Sequence, residues 1–401
     1  MAETPCTILC IASYKKGEEF IKQCKREGCR VILLTSRSLE GADWPADSID
    51  EIFYIPDVKK VWNMRDVIYG VSYMARTVHF DKIVALDDYD VEKAASLREH
   101  LRIAGMGDTS ARHFRDKLAM RARAAESGIP VPEFVHILNH DRIREYLRTV
   151  PPPYVLKPRF QAGAHGIRVI GSDAEFWEAL QSLGDEQSFH LLERFVPGEI
   201  FHVDSILYDQ QVVFAIVSKY GLPPMEVAHQ GRVFSSRIEL RGVLQEQTLQ
   251  ALNQKVLTSL GLKEGVSHTE FIKGPGENQF YFLETSARVG GAHISDLVEA
   301  ATGLNLWREW ARIEAGSKPY ELPGHRDDYA GLMISLARQE WPDLSAYDDP
   351  EVVWKMHKKH HAGLIFRSPK YERVEQLMKA YTERFYDDFY TSLPMTDLPA
   401  D

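Results

Sequence analysis

The stretch that decides the fold is Tyr154-Val155-Leu156-Lys157-Pro158, followed by Gln161-Ala162-Gly163-Ala164-His165-Gly166 and then by Ile167-Arg168-Val169-Ile170. The first segment has the pattern of a buried strand that ends in a lysine, and the last segment is a second strand. Between them, glycines let backbone N–H groups approach an oxyanion, and the lysine supplies a positive charge. A loop with two glycines is more often a simple hairpin loop, so this stretch alone is a weak signal for a polyphosphate site.

Acidic segments further along the chain strengthen that prediction. Glu193 and Glu199 stand on either side of Pro197-Gly198, and two later strands carry one carboxylate each, at Glu270 and Glu284. Magnesium takes oxygen ligands and shares them with phosphates, so a lysine, a glycine loop and paired carboxylates in this order suit a magnesium–nucleotide site. The alternative readings are a structural Glu–Arg pair across the hairpin and a pair of ordinary loop acids.

Composition places the chain among ordinary globular proteins. It has 401 residues, 44% hydrophobic and 26% charged, with a formal net charge of -10. The negative charge argues against nucleic acid and anionic membranes as partners. No apolar run is long enough to span a bilayer and the N-terminus lacks a signal pattern, so the cytoplasm is expected. The length predicts two to four domains or lobes.

The first hundred residues alternate between strand and helix patterns, which predicts a parallel, doubly wound sheet. Ligands of such sheets bind beyond the carboxyl ends of the strands. Asp87-Asp88 follows the fourth strand, so it either faces a substrate amine or caps the next helix. All four cysteines precede residue 30, at Cys6, Cys10, Cys24 and Cys29. We interpret them as small buried thiols; a metal site with this spacing is the less favoured alternative.

Three later segments complete the sequence-based predictions. Residues 109–127 are predicted as one helix containing Lys117, which by itself is typical of a solvated face. Residues 222–237 are predicted to be an irregular loop that borders the site. Residues 357–361, His-Lys-Lys-His-His, form either a metal cluster or, as we favour, a basic solvated turn.

Together these motifs resemble the ATP-grasp superfamily of carboxylate–amine ligases over nearly the whole chain. The resemblance implies an α/β chain whose Rossmann-like pre-ATP domain, a parallel-sheet domain, covers residues 1–108. A linker helix and the small α+β lobe of the grasp would cover residues 109–197, the large lobe 198–318 and a C-terminal cap 319–401. Residues 286–291 look most like amino-acid ligases and carnosine-synthase-like enzymes, and biotin carboxylases are more distant.

The resemblance also implies a role for each matching residue. Catalysis would depend on Lys157 and Arg288. The nucleotide phosphates would contact Lys117, Lys157 and the loop residues Gln161, Gly163, His165 and Gly166. The adenine and ribose would be held by Glu193, by the backbone of Phe195 and Val196, and by Glu199. The metal would be bound by Glu270, Glu284 and Ser286. The family usually has Asn where Ser286 stands, and a hydroxyl is a poorer magnesium ligand than an amide oxygen, which leaves the number of ions open.

The activity implied by the resemblance is ATP-dependent formation of an amide-type bond through an acyl phosphate, with release of ADP and phosphate. The cofactors would be ATP and Mg²⁺, or Mn²⁺ in its place, and the partners a small-molecule carboxylate and amine whose identities the sequence does not give. By analogy we expect a homodimer. The alternatives are a biotin-carboxylase-like enzyme that uses bicarbonate and a non-catalytic ATP-binding sensor or subunit.

Overall fold

A computed structural model describes residues 5–276, 279–316 and 319–391 of the chain. Its N-terminal unit contains a four-stranded parallel sheet in the order β3-β2-β1-β6, which confirms the predicted parallel sheet. β1 is buried along its whole length because both faces of the sheet are covered. The elements of this unit are β1 (Thr7–Ala12), α1 (Glu18–Arg26), β2 (Arg30–Ser36), β3 (Glu51–Ile55), β4 (Asp57–Val58), β5 (Val61–Trp62), α2 (Met64–Met74), β6 (Lys82–Ala85) and α3 (Val91–Leu101).

Two short helices follow, α4 (Asp108–Arg112) and α5 (Lys117–Glu126), so the prediction of one continuous helix over 109–127 was wrong. The physical reason is Asp116, whose carboxylate accepts a hydrogen bond from the backbone N–H of Leu118 at 3.0 Å and so begins a new helix. Lys117 is therefore the first residue of α5. It lies at a helix N-terminus, where N–H groups favour an anion, instead of on a mid-helix surface.

The small lobe is a four-stranded antiparallel sheet in the order β7-β10-β8-β9, with two helices packed against it. Lys157 is the fourth residue of β8, and β10 runs antiparallel beside it. The strand–loop–strand–helix–strand pattern predicted between Lys157 and Glu193 is confirmed. The elements are β7 (Phe134–His136), α6 (His140–Thr149), β8 (Tyr154–Pro158), β9 (Arg168–Ile170), α7 (Asp173–Leu183) and β10 (His190–Arg194).

The large lobe is built on an eight-stranded sheet in the order β15-β14-β11-β12-β13-β16-β18-β17. The strands from residues 329–368 extend the same sheet that carries the two predicted metal-binding glutamates. The elements are β11 (Ile200–Tyr208), β12 (Gln211–Tyr220), α8 (Pro224–Gln230), β13 (Phe234–Ile238), α9 (Leu244–Leu260), β14 (Gly265–Lys273), β15 (Phe280–Ser286), α10 (Ile294–Thr302), α11 (Leu306–Ala315), β16 (Tyr329–Leu336), β17 (Val352–Lys355), β18 (His361–Ser368) and α12 (Tyr371–Asp388).

The segment 222–237 is more ordered than predicted. It contains α8 and most of β13, which pairs with both β12 and β16, so the prediction of an irregular loop was wrong. Phe234–Ile238 is a short strand whose burial does not alternate, and two of its buried residues are Ser235 and Ser236, so hydrophobic patterning gives no clear strand signal in the sequence. The hairpin between β14 and β15 is confirmed; Glu277 and Asn278 of its predicted turn lie outside the described residues.

The N-terminal unit is joined to the large lobe by a shared hydrophobic core. Residues of β1, β2 and α1 pack with residues of α10 and α11 in one buried cluster, in which the rings of Phe20 and Trp310 lie 5.0 Å apart. Burying apolar area is the main favourable term in such an interface. The packing fixes the end of β6 and the residues after it beside the segment that follows β15, and this proximity builds the site.

The cysteines are free thiols; Cys10, Cys24 and Cys29 are buried and Cys6 is half-buried. In the described part of the chain, the one group of three or more His, Cys, Asp and Glu side chains with metal-ligand spacing lies elsewhere, at His202, Asp204 and His268. The two metal-cluster alternatives, at the cysteines and at residues 357–361, therefore find no support in the described residues. None of the described helices is both long and apolar enough to cross a bilayer.

Candidate functional site

A cavity of about 370 Å³ opens where the N-terminal unit, the small lobe and the large lobe meet. Predicted site residues from all three parts of the chain line it: Lys117, Lys157, Gln161, Gly163, His165, Glu270, Glu284, Ser286 and Arg288. Residues that the sequence analysis did not assign to the site line it too, among them Lys16, Tyr89, Arg115, Tyr220 and His268. A site formed from segments so far apart in sequence depends on the packing of the units.

The glycine loop forms one wall of the cavity. Gly163, Ala164 and Gly166 have φ values of 68°, 61° and 71°, a left-handed conformation that glycine adopts without strain. A Cβ on Gly166 would lie 2.8 Å from Cγ of Pro158, so this position also needs the absence of a side chain. Gly166 itself is not among the cavity-lining residues. His165 bends back, with Nδ1 2.9 Å from the carbonyl oxygen of Ala162.

Lys117 connects this loop to the carboxylate pair. Its Nζ donates to the carbonyl oxygen of Gln161 at 2.6 Å and lies 2.9 Å from Oε2 of Glu284. Burial raises the pKa of the Glu284 carboxyl, but Lys117 and Lys157 outweigh burial, and the net pKa is lowered. Glu284 is therefore an anion beside the loop that the sequence assigns to phosphates.

Glu270 and Glu284 are directly opposite each other on the adjacent antiparallel strands β14 and β15. Opposed residues of an antiparallel pair have Cβ atoms about 4.5–5.5 Å apart, a separation that lets two carboxylates share one cation. A bulge follows this pair, because Phe271 is opposite Phe282 and Leu283 is the extra residue. Ser286 is opposite His268, and Glu284, Ser286 and Arg288 all line the cavity.

A buried hydrogen-bond network holds the carboxylate of Glu270 in position. The Tyr220 hydroxyl donates to Oε1 of Glu270 at 2.9 Å, and Nε2 of His268 lies 3.2 Å from the same hydroxyl. Asp204 accepts from Nδ1 of His268 at 2.9 Å and from Nδ1 of His202 at 2.7 Å. Nε2 of His202 lies 2.7 Å from Ser236 Oγ. Because these ring nitrogens already have partners, the His–Asp–His group is a hydrogen-bonded support for Glu270 and not a separate cation site.

The charges of this network follow from its contacts. Burial lowers the pKa of His268, but the carboxylates of Asp204 and Glu270 outweigh burial and raise it to about 10. Burial raises the pKa of Asp204, but His268 and His202 bring it well below its usual range. His268 is therefore a cation, which stabilises Asp204 and Glu270 as anions.

Lys157 is buried and forms an ion pair with the buried Glu193. Its Nζ is 2.6 Å from Oε2 of Glu193, and Nε of Arg121 is 2.6 Å from Oε1 of the same carboxylate in an ionic contact without hydrogen-bond alignment. Burial, and then repulsion from Arg121, lower the pKa of Lys157 to about 8 despite the attraction of Glu193. Burial raises the pKa of Glu193, but Arg121 and Lys157 together lower it further than burial raises it.

The residues predicted to hold adenine and ribose do not line the cavity. Glu193 lies behind Lys157 with both oxygens engaged, and the N–H of Phe195 donates to the carbonyl oxygen of Pro153 at 3.0 Å. That N–H is thus unavailable for an adenine edge. Val196 is buried, and Glu199 forms an ion pair with Lys219 where the chain crosses between the lobes. Their roles in nucleotide binding stay predictions.

Arg288 is paired with Asp88 of the N-terminal unit. Its Nε donates to Oδ2 of Asp88 at 2.9 Å, and its Nη2 approaches the same oxygen. Burial raises the pKa of Asp88, but Arg288, Arg115 and Lys16 outweigh it and lower the pKa to about 2. Oδ1 of Asp88 is buried and has no hydrogen-bond partner among the described residues. Asp87 both caps the turn after β6, by accepting from the N–H of Tyr89 at 3.0 Å, and pairs with Lys16.

Sequence reasoning missed the partners of several predicted residues. Arg121 gave no local signal, and the position of Asp88 at the end of a strand was predicted but its pairing with Arg288 was not, since each of these residues meets its partner only through tertiary packing. His268 did carry one: period-two alternation places it on the same face of β14 as Glu270. Tyr220 ends a hairpin strand and gave none.

Comparison with known proteins finds a family model for the segment that carries most of these features. Residues 150–296 match the family model of the ATP-grasp domain, so this segment is an ATP-grasp domain and the resemblance drawn from the motifs is confirmed. The L-arginine-specific L-amino acid ligase of Bacillus subtilis is 24% identical over 277 residues, which cover 67% of this chain and 65% of that protein. Carnosine synthase 1 of Homo sapiens is 25% identical over 270 residues, 63% of this chain and 30% of that protein. The chain thus spans less than two thirds of these curated relatives.

Solved structures match the whole fold. The L-amino acid ligase from Bacillus licheniformis superposes with a TM-score of 0.76 at 16% identity, covering 98% of this chain and 100% of that one. The N5-carboxyaminoimidazole synthetase from Staphylococcus aureus, crystallised with ADP, gives a TM-score of 0.71 at 15% identity, covering 95% and 99%. The chain therefore shares its fold with these two enzymes over nearly all of the given sequence, which confirms the predicted fold class.

Proposed function

We propose that the protein is an ATP-dependent ligase that joins a small carboxylic acid to an amine through an acyl phosphate. The observation that carries this proposal is the opposition of Glu270 and Glu284 across β14 and β15, in the cavity that Lys117 and Lys157 also line. Two carboxylates on neighbouring strands, with ammonium groups and a glycine loop beside them, suit a metal-bound triphosphate. The relatives named as ligases support the same class of reaction.

The donor set suits Mg²⁺, or Mn²⁺ in its place. Glu270 and Glu284 present carboxylate oxygens, and the Ser286 hydroxyl lines the same cavity. Glu270 is held in place by neutral and histidine donors, with no Lys or Arg at ion-pair distance among the described residues, so its charge is available to a cation. A bound ion would supply charge neutralisation for the transferred phosphoryl group. One carboxylate pair and one hydroxyl favour a single tightly held ion.

The chain's own residues would then act in two steps. Arg288 orients the carboxylate of the acid substrate. A carboxylate oxygen attacks the γ-phosphorus, a new O–P bond forms, and ADP leaves as its bond to that phosphorus breaks. Lys117, Lys157 and the glycine loop stabilise the charge on the transferred phosphoryl group. In the second step the amine nitrogen attacks the acyl carbon, phosphate leaves with the C–O electron pair, and the nitrogen transfers a proton to the departing phosphate. Closure of the loop excludes water, which would otherwise hydrolyse the acyl phosphate.

We propose the remaining features on the same basis. The unit at 1–108 would supply the substrate side, those at 109–197 and 198–318 the two lobes of the grasp, and that at 319–401 a cap whose strands β16, β17 and β18 continue the sheet of the large lobe. The adenosine would bind next to Glu193, Phe195, Val196 and Glu199. The substrates would be small molecules, the enzyme would act in the cytoplasm, and a homodimer is proposed by analogy with the family.

Product analysis tests this function. We expect ADP and phosphate to appear only when ATP, Mg²⁺, a carboxylic acid and an amine are present together, in a screen of amino acids and small acids as pairs. Glu284→Gln should abolish this turnover, whereas Glu264→Gln, at an exposed position outside the cavity, should leave it unchanged. AMP and pyrophosphate as products would exclude the acyl-phosphate route. Bicarbonate-dependent ADP release with biotin would instead favour a carboxylase, and metal-dependent ATP binding without turnover would favour a sensor.

A further inference from the structure

The charged groups around the cavity are almost completely paired. Five lysine and arginine side chains line it, and four of them have a carboxylate at ion-pair distance. Lys117 faces Glu284 at 2.9 Å and Lys157 faces Glu193 at 2.6 Å. The other two pairs are Lys16 with Asp87 and Arg288 with Asp88. The exception, within the part of the chain that the structure describes, is Arg115.

Arg115 is held in place without an acidic partner. The residue is only 9% exposed, and its guanidinium carbon lies 4.6 Å from the centroid of the Tyr89 ring. Tyr89 is itself backed by Tyr14, whose ring centroid is 5.2 Å away. In residues 5–276, 279–316 and 319–391, no hydrogen bond or ion pair of this guanidinium is found. Stacking on an aromatic face leaves the N–H groups at the edge of the guanidinium available, and these groups match a carboxylate bidentately.

Among the described residues that line the cavity, Arg115 is therefore the cation without an acidic partner, and Glu270 has only His268, at 3.5 Å, as a cationic neighbour. A buried cation without a partner is costly, so a position that keeps one is suited to an incoming anion. In the proposed function the cation for Glu270 is the metal ion. Arg115 lies close enough to Asp88 to help lower its pKa, and Asp88 holds Arg288, so Arg115 is beside the residue assigned to the reacting carboxylate.

We propose that Arg115, stacked on Tyr89, is an oxyanion subsite that binds a carboxylate carried by the amine substrate. This inference rests on the proposed function and adds to it, because it requires an amine that bears its own negative charge. Asp88 lines the same cavity, and its buried Oδ1 accepts no hydrogen bond from any residue that the structure describes. This acceptor favours the amine substrate as the source of the carboxylate, because a ligand with both an N–H donor and a carboxylate would satisfy Asp88 and Arg115 together. A nucleotide phosphate has the same oxyanion chemistry and is the second source that the experiment distinguishes.

The test compares Arg115→Gln and Arg115→Lys with the wild-type protein. Arg112→Gln is the matched control, since Arg112 is 61% exposed on the preceding helix and 3.8 Å from its acidic partner. For each protein, the KM is measured for an α-amino acid accepted by the wild type and for the corresponding carboxamide, and the dissociation constant of a non-hydrolysable Mg–ATP analogue is measured by calorimetry. Thermal melting checks that each variant is folded.

We expect Arg115→Gln to raise the KM of the amino acid about 10- to 100-fold, as loss of charge-assisted hydrogen bonds does, with the carboxamide KM unchanged. Arg115→Lys should raise the KM of the amino acid less than Arg115→Gln does, because lysine keeps the positive charge but lacks the two parallel N–H donors of the guanidinium. A weaker analogue affinity instead would support the subsite with a phosphate as its anion. If Arg115→Gln and Arg115→Lys are folded and change neither quantity, the subsite is refuted. Wild-type protein without turnover on any pair refutes the proposed ligase, and the analogue titration then decides on Arg115 alone.

Discussion

Replacing Tyr220 by phenylalanine removes one hydroxyl from beneath Glu270 and leaves the ring in place. That hydroxyl donates to Oε1 of Glu270 at 2.9 Å and lies 3.2 Å from Nε2 of His268; without it, the nearest remaining donor to Oε1 is His268 at 3.5 Å. A hydrogen bond to a charged group is worth about 1.5–3 kcal/mol. Since about 1.4 kcal/mol corresponds to a factor of ten, we expect the Mg²⁺ concentration for half-saturation to rise about 10- to 100-fold.

The assay is ADP release at saturating ATP and substrates, titrated with Mg²⁺. Because Tyr220 supports Glu270 and does not reach the reacting atoms in the proposed mechanism, kcat at saturating Mg²⁺ should change little. Tyr146→Phe is the control, since Tyr146 is also a buried tyrosine, and its hydroxyl donates to the carbonyl oxygen of Glu133 at 2.9 Å in the small lobe. An unchanged Mg²⁺ requirement in folded Tyr220→Phe, or an equal effect in the control, would refute the reasoning.

Two further perturbations follow from the same geometry. The pKa of Lys157 is lowered to about 8. Bound phosphates would favour the charged form of Lys157 and raise this pKa. The affinity for a non-hydrolysable Mg–ATP analogue should therefore be constant below pH 8 and fall above it. Calorimetric titrations at several pH values measure this affinity, and in Lys157→Met the affinity should no longer depend on pH. A pH dependence that persists in Lys157→Met would belong to another titrating group. Gly198→Ala should destabilise the fold by about 1–3 kcal/mol, because its Cβ would lie 2.0 Å from the backbone oxygen of Lys273. Thermal melting compares it with Gly324→Ala, which meets nothing within 4 Å, and equal melting temperatures would contradict the prediction.

Hydrophobic patterning was sufficient to predict most of the fold. The apolar run at 6–12 contains β1, and the predicted strand–loop–strand–helix–strand pattern between Lys157 and Glu193 is found in the small lobe. The hairpin that carries Glu270 and Glu284 has the predicted strands. Errors arose where a polar residue with a local role interrupts a pattern. Asp116 begins a new helix inside an otherwise continuous helical pattern, and β13 is short and buries two serines, so it shows no clear hydrophobic alternation.

Some features of the site were also predictable from local sequence, and others depend on tertiary packing. Glu284 and Ser286 lie on one face of β15 because side chains alternate along a strand, and Arg288 lies beyond the end of β15 but lines the same cavity. The pairing of Arg288 with Asp88 was not predictable, since the two residues are 200 positions apart and meet only because the N-terminal unit packs on α10 and α11. The sequence predicts Asp88 at the carboxyl end of a strand, but only the fold shows that its partner is an arginine of another lobe.

The pairing of charges explains how so many ionic groups can occupy one small cavity. Lys117 and Lys157, brought together without compensation, would repel each other and lose hydration, and each loss costs several kcal/mol. Glu284 and Glu193 offset that cost, and the carbonyl oxygen of Gln161 adds a hydrogen bond that fixes Lys117 against the glycine loop. A metal-bound triphosphate would bring its own cation to the glutamates and its own anions to the lysines, so that binding exchanges one set of ion pairs for another. The lysines are thereby held in position for phosphates by the same carboxylates that are suited to the metal.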